Sequence, residues 1–175
     1  KKSAQRMALY LLDKNKQGAK IMASTLLEAV EDISRCKRCR MLTSNDFCRV
    51  CSDLSRDDKS ICVVESPSDV LAIESTGGYK GKYFVLLGRL SPIEGVGPED
   101  LGIEELLVII ESEGIEELIL ATSSTVEGDA TGMYIKDHIP DIKVSRISYG
   151  IPIGGELEYV DSNTIAQAIQ GRTEV

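Results

Sequence analysis

Two Cys-x-x-Cys pairs, Cys36/Cys39 and Cys48/Cys51, constrain this chain more than any other feature, and eight residues separate them. If the two pairs close together, four thiolates surround one tetrahedral ion, which is the ligand set that structural zinc prefers. A pair of disulfides or four unrelated thiols is the alternative, although a two-residue gap makes a strained disulfide loop. The spacing therefore predicts a zinc site in which protein fills all four positions, so that the metal holds shape and does no chemistry.

The distribution of charge divides the chain into a basic arm and an acidic body. Residues 1–40 contain ten lysines and arginines against four acids, a net charge of +6, and because the whole chain carries −8 the remainder carries −14. A basic arm is typical of a surface that faces phosphates, and an acidic body suits protein partners. A solvated helix surface explains the same charges without any ligand.

Residues 3–12 and 21–33 place apolar side chains at helical spacing, which predicts two short amphipathic helices before the zinc site. Neither helix has enough apolar surface to form a core alone. Each is expected to pack on the other, on the zinc unit or on a second subunit.

After residue 58 the pattern changes to short apolar strands that alternate with helices. Strands are predicted at 61–65, 83–87, 118–122 and 144–147, and helices at 68–75, 103–112, 129–138 and 161–168. Continuous apolar strands between amphipathic helices are typical of a parallel sheet that is covered on both faces. The body is therefore predicted to be an α/β domain.

Ligands of an open parallel sheet gather at the carboxyl ends of its strands. Glu65 follows the first predicted strand, and Glu127 and Asp129 follow the third. These three acids are candidates to hold Mg²⁺ through oxygen ligands. Equally, Asp129 is able to cap the helix that it begins, within an otherwise polar turn.

Several segments together resemble the bacterial RecR family. They are the basic helix 2–8 (KSAQRMA), the four cysteines, 62–69 (CVVESPSD), 90–100 (LSPIEGVGPED), 121–131 (ATSSTVEGDAT) and 154–161 (GGELEYVD). The resemblance runs through the whole chain in order. It implies an N-terminal helix-hairpin-helix remnant with a linking helix (1–34), a four-cysteine zinc finger (35–57), a Toprim domain (58–150), and a C-terminal acidic-strand motif with a helix (151–175).

The resemblance also implies how the chain begins. The sequence starts without Met inside a helical pattern, and residues 1–7 match the second helix of the family's hairpin unit, so we expect residues to precede Lys1. No apolar run approaches the roughly 20 residues that a membrane span needs, and no signal peptide pattern begins the chain. A cytoplasmic location without membrane contact is expected.

By the same resemblance the chain is expected to be a DNA-binding recombination mediator. It would act with RecO and RecF to place RecA on gapped single-stranded DNA, as a homodimer or a ring-shaped homotetramer. Charge alone selects the DNA-binding candidates, which are Lys1, Lys2, Arg6, Lys20, Arg35, Lys37 and Arg38. Glu65, Glu127 and Asp129 are the expected contacts for RecO.

An enzyme is the alternative, because other Toprim proteins use Mg²⁺ for phosphoryl chemistry. Those enzymes place a glutamate after the first strand and an Asp-x-Asp after the third. Glu65 matches the glutamate, but Ser123 and Thr125 stand where the two aspartates belong, and hydroxyls are poor Mg²⁺ ligands by comparison. We therefore predict no catalysis, with a Mg²⁺-dependent nuclease or nicking enzyme, or a zinc-stabilised protein-interaction module, as the competing hypotheses.

Overall fold

The computed structural model describes residues 2–139, 142–148 and 150–172. Lys1, a predicted DNA contact, lies outside the described residues. The elements in chain order are α1 (Lys2–Lys14), α2 (Lys16–Asp32), β1 (Ser34–Arg35), β2 (Leu42–Thr43), α3 (Arg49–Ser52), β3 (Ser60–Val64), α4 (Pro67–Thr76), β4 (Lys82–Val85), α5 (Ile103–Glu113), β5 (Glu117–Ala121), α6 (Val126–His138), β6 (Lys143–Arg146), a 3₁₀ turn (Leu157–Tyr159) and α7 (Ser162–Gln170).

Four strands form one parallel sheet in the order β4-β3-β5-β6. In the central strand β3, Val64 lies opposite Val85 on one side and Ala121 on the other. Every residue of β3 is buried, because both faces of the sheet are covered. The predicted α/β parallel sheet with flanking helices is confirmed, and the carboxyl ends of β3 and β5 meet at one edge.

Each face of the sheet has its own core. On one face Ile61, Val63 and Phe84 pack with residues of α5 and α6 such as Leu106 and Ile135. On the other face the buried residues belong to the sheet, to α4 and to residues 35–57, which contain the four paired cysteines and are called the cysteine segment below. These buried residues include Cys62, Val64, Val70, Tyr83, Val85, Cys36, Cys39 and Cys48. The cysteine segment is therefore part of the sheet's second layer.

Helices α1 and α2 pack on each other and contain no buried residue. Their apolar side chains remain exposed within one chain, including Met7, Leu12, Ile21, Leu27 and Val30. Asn15 begins α2 by accepting a hydrogen bond from the Gly18 amide at 2.8 Å. Of the three packing partners left open by the sequence, the structure shows the two helices packing on each other, but their apolar stripes are left without a cover.

Side chains cap the starts of the last two helices. Asp161 accepts hydrogen bonds from the amides of Asn163 and Thr164, both at 3.0 Å, and so caps α7. Helix α6 begins at Val126, and Thr125 caps it. The interpretation of Asp129 as a helix cap is wrong, because it lies inside the helix.

Among the described residues, no helix is both long and apolar enough to span a bilayer.

Candidate functional site

The four cysteines of the two pairs meet at one point. The Sγ atoms of Cys36, Cys39, Cys48 and Cys51 all lie within 4.8 Å of one another, and those of Cys39 and Cys48 are 3.5 Å apart. Four sulfurs at the usual zinc–sulfur bond length of about 2.3 Å from one ion are separated by roughly 3.8 Å. The cluster therefore has the size and the donor set of a structural zinc site.

Backbone hydrogen bonds shape the first Cys-x-x-Cys turn. The Cys36 amide donates to the Met41 carbonyl at 2.7 Å, and the Arg40 amide donates to the Cys36 carbonyl at 3.0 Å. Arg40 closes the turn with a φ of 65°, which a non-glycine residue adopts only when its surroundings hold it there. The Cys48 amide donates to the Cys36 sulfur at 3.3 Å, which joins the two pairs.

The thiols are sequestered and none of the described cysteines forms a disulfide. Cys36 and Cys39 are 1% exposed and Cys51 is partly exposed. The hydrogen bond with the Cys39 thiol, followed by that with Cys51, lowers the pKa of Cys48, whereas the contact with Cys48 raises the pKa of Cys39. The cluster thus favours a thiolate at Cys48, and binding of a divalent ion would displace the protons of its neighbours.

The cysteine segment is attached to the edge of the parallel sheet. The Cys39 carbonyl accepts a hydrogen bond from the Val85 amide at 3.0 Å, on the free side of the edge strand β4. Arg40 donates to the Leu101 carbonyl and, at 3.2 Å, to the Asp100 carbonyl. The cysteine segment therefore covers an edge that would otherwise be open to pairing.

Acidic side chains gather at the carboxyl end of the sheet, as predicted, but Glu65 and Asp129 are engaged by neighbouring groups. Glu65 accepts a hydrogen bond from the Ser123 amide at 2.7 Å, and its other oxygen lies 3.6 Å from Arg89. Asp129 pairs with Arg146 at 2.8 Å. Glu127 lies partly buried in the first turn of α6.

Glu65, Glu127 and Asp129 do not come together as a group of three that could share one cation. Within the described ranges, the four cysteines are the only group of three or more histidines, cysteines or acids close enough to hold one ion. Sequence reasoning did not assign Arg89 and Arg146 as partners of the acids. Arg89 follows β4 and Arg146 ends β6, at the same edge of the sheet as Glu65. A position at the carboxyl end of a predicted strand is the sequence signal that could have identified both.

Ser123 and Thr125, which stand where the resemblance to Toprim enzymes would require aspartates, lie next to the start of α6. Their hydroxyls lie 2.9 Å apart, and Thr125 accepts a hydrogen bond from the Gly128 amide at 3.1 Å. A Cβ on Gly128 would overlap the Ser123 carbonyl and crowd Glu65, so glycine permits this close approach. The two hydroxyls thus fix the start of α6.

The predicted DNA-binding cations separate into two groups. Lys2, Arg6, Lys20 and Arg35 are exposed, and Lys37 is exposed while pairing with Asp46 at 2.8 Å. Arg38 differs, because its side chain is only 9% exposed and pairs with Glu113. Sequence reasoning missed Glu113, which lies 75 residues away and gives no local signal.

Comparisons with known proteins agree with this architecture. Residues 59–148 match the family model described as "Toprim domain", so the sheet defines a Toprim-domain protein that also carries a four-cysteine cluster able to hold a metal ion. Models described as "RecR, helix-hairpin-helix" and "RecR, C-terminal" match residues 1–30 and 150–173.

Full-length similarity identifies the family. The chain is 51% identical over 176 residues to "Recombination protein RecR" of Saccharophagus degradans, across 99% of this chain and 89% of that protein. It is 50% identical to the protein of the same name from Francisella tularensis subsp. novicida, across 100% of this chain and 88% of the relative. The chain therefore belongs to the RecR family, as its motifs predicted.

Proposed function

We propose that this chain is a DNA-binding recombination mediator that holds DNA without cleaving it. The observation that carries the proposal is the α1–α2 pair, which presents exposed cations in the segment matched by the family's helix-hairpin-helix model. The relatives are named recombination proteins, which supports a role in recombinational repair. In this proposal four cysteines hold zinc, which keeps the cysteine segment folded against the sheet.

The DNA contact is proposed to consist of phosphates and cations. Lys2, Arg6, Lys20 and Arg35 are the exposed members, with Lys37 beside them on the cysteine segment. Arg38 is left out of this surface, because its guanidinium is buried against Glu113. Contacts of this kind position a protein on DNA without reading its sequence, so we expect binding to single-stranded, double-stranded and gapped DNA.

Assembly into a homodimer or a ring-shaped homotetramer is proposed to use the uncovered faces of α1 and α2. Contiguous exposed apolar side chains more often belong to an interaction surface than to a surface that stays in water. A ring built in this way would carry the cations of α1 and α2 near its subunit contacts, where DNA would pass.

We infer that the sheet-edge acids Glu65, Glu127 and Asp129 contact a basic surface of RecO, with RecF completing the assembly that loads RecA. The acidic balance of residues 41–175 supports a charged protein contact, which would weaken in salt. Glu127→Gln with Asp129→Asn should weaken RecO binding measured by calorimetry, whereas Glu111→Gln on α5 should not. Equal affinity for all variants would remove these acids from the interface.

Absence of catalysis is part of the proposal, and its support is chemical. Glu65 is held by the Ser123 amide and faces Arg89, and neutral hydroxyls stand at the two positions that need carboxylates. A competing Mg²⁺-dependent nuclease would need acids able to share an ion, and among the described residues these acids do not converge on one.

The test is fluorescence anisotropy of a gapped duplex across a salt series with Mg²⁺ present, after which the DNA is run on a denaturing gel. We expect intact DNA and an affinity that falls with a log–log slope of about −0.9 per phosphate neutralised. Arg6→Gln or Lys20→Gln should each reduce the slope by about one.

Lys136→Gln is the matched control, since Lys136 is an exposed lysine on α6 in the acidic body. If the three variants bind alike, the α1–α2 surface is not the contact. Cleavage that appears with Mg²⁺ and vanishes in EDTA would establish the nuclease instead.

A further inference from the structure

We propose that Arg38 is a positioning residue of the metal centre, held against the Cys51 sulfur by Glu113. One guanidinium nitrogen of Arg38, Nη1, lies 3.9 Å from Cys51 Sγ. The other two nitrogens face Glu113, with Nε donating to its two oxygens at 2.8 and 3.0 Å and Nη2 donating at 2.6 Å. One planar cation thus bridges a metal ligand and a carboxylate of α5.

The burial of Arg38 shows that this bridge is specific. Burying a guanidinium until its side chain is 9% exposed destabilises the fold unless a partner offsets the charge. Glu113 offsets it by accepting hydrogen bonds from two guanidinium nitrogens of Arg38. Glu113 sits in the last turn of α5, where its carbonyl accepts a hydrogen bond from Lys59 Nζ at 3.0 Å. The carboxylate that orients Arg38 is therefore anchored to the sheet domain.

The polarity of the pair suits a tetrathiolate centre. Four thiolates around a divalent ion carry a net charge of −2, and the cationic end of the Arg38–Glu113 pair points to Cys51. Cys51 is the most exposed of the four ligands. Arg38 both offsets the negative charge and covers the sulfur that solvent reaches most easily, a role that outer partners of metal ligands often have.

The neighbouring Lys37 provides a matched control within the same Cys-x-x-Cys turn. Its side chain is 66% exposed and pairs with Asp46 at 2.8 Å. A change at Lys37 removes one positive charge at nearly the same place in the sequence, but it leaves the Cys51 contact intact.

The experiment uses the full chain purified with zinc and its Arg38→Gln, Glu113→Gln and Lys37→Gln variants. Zinc transfer to a colorimetric chelator gives the rate of metal release, and mass spectrometry after brief iodoacetamide treatment identifies the first cysteine to be alkylated. We expect Arg38→Gln and Glu113→Gln to release zinc about 10-fold faster or more, with Cys51 modified first. Lys37→Gln should match the unmodified chain in both measurements.

Release of zinc at the Lys37→Gln rate by folded Arg38→Gln would overturn the proposal, as would faster release without preferred modification of Cys51. If Arg38→Gln does not fold, Arg38→Lys and Glu113→Gln decide instead, because both retain a cation at position 38 while weakening the fork. The readout contains no DNA, so its failure and failure of the proposed DNA contact are separate results.

Discussion

At the scale of single residues, one partly buried carboxylate joins three parts of the body. Glu74 of α4 accepts hydrogen bonds from Tyr83 of β4 at 2.7 Å and from Arg56 Nη1 at 3.0 Å, and Arg56 also donates to the Gly81 carbonyl at 3.0 Å. Burial opposes ionisation of Glu74, but the hydrogen bonds from Arg56 and Tyr83 outweigh it and lower the pKa of Glu74. The segment that follows the metal centre is thereby tied to the sheet.

Glu74→Gln should therefore lower the free energy of unfolding at pH 7 by about 2 kcal/mol, because a charged hydrogen-bond acceptor is lost. Since the pKa of Glu74 is lower in the folded state, its stabilisation is complete above the unfolded value of roughly 4.3 and is lost as pH falls through the folded value. Urea unfolding should show the difference from the unmodified chain narrowing below pH 4.3. Exposed Glu111→Gln is the control, and equal stability of the two variants at pH 7 would contradict the prediction.

At the scale of elements, the four-cysteine cluster and the segment before α5 form one unit. Arg40 donates to the carbonyls of Leu101 and Asp100, and its guanidinium lies 5.7 Å from the centre of the Phe84 ring. Gly102 has a φ of 66° and leaves room for Arg40, because a Cβ there would overlap the guanidinium. The conformation of the first cysteine turn therefore constrains the segment that leads into α5.

Removal of the metal with a chelator should consequently accelerate amide hydrogen exchange in β4 and at residues 100–103, and not only within residues 35–57. Arg40→Gln should reproduce the faster exchange at 100–103 while zinc remains bound, since it removes the contacts but none of the ligands. Arg49→Gln, at an exposed arginine of α3, is the control for charge. Protection at 100–103 that is unchanged in Arg40→Gln would show that Arg40 does not couple the two elements.

At the scale of the whole molecule, the two N-terminal helices are the least self-sufficient part. They contact each other, bury no residue and leave side chains such as Leu27 and Val30 at 69% and 81% exposure. The sheet domain, by contrast, buries continuous cores on both of its faces. A second copy of the chain would remove the exposed apolar stripe from water.

Leu27→Asp or Val30→Asp should therefore shift the protein to a smaller assembly in light scattering after gel filtration. Burying one such side chain contributes about 1.5–3 kcal/mol, so the dissociation constant should rise at least about 10-fold. Leu54→Asp, at a 96% exposed leucine after α3, should leave the mass unchanged. An unmodified chain that stays monomeric at high concentration would show that these faces do not join copies.

The sequence by itself determined the four cysteines that come together in one cluster, the parallel α/β sheet and the edge at which acids collect. Each depends on local information: the spacing of ligands along a turn, the period of apolar residues, or the position directly after a strand. Segments of high similarity to known motifs added the Toprim and RecR assignments, which the comparisons confirmed.

Only the tertiary structure decided which charged side chains are paired, and with which partner. Arg38 has the same local signal as Lys37, yet α5 brings Glu113 to one and leaves the other in water. Glu65 and Asp129 have the appearance of free acids in the sequence, but strand order places Arg89 and Arg146 beside them. The physical reason is that pairing of side chains depends on distances between segments remote in sequence, which the packing of the sheet sets and no local pattern encodes.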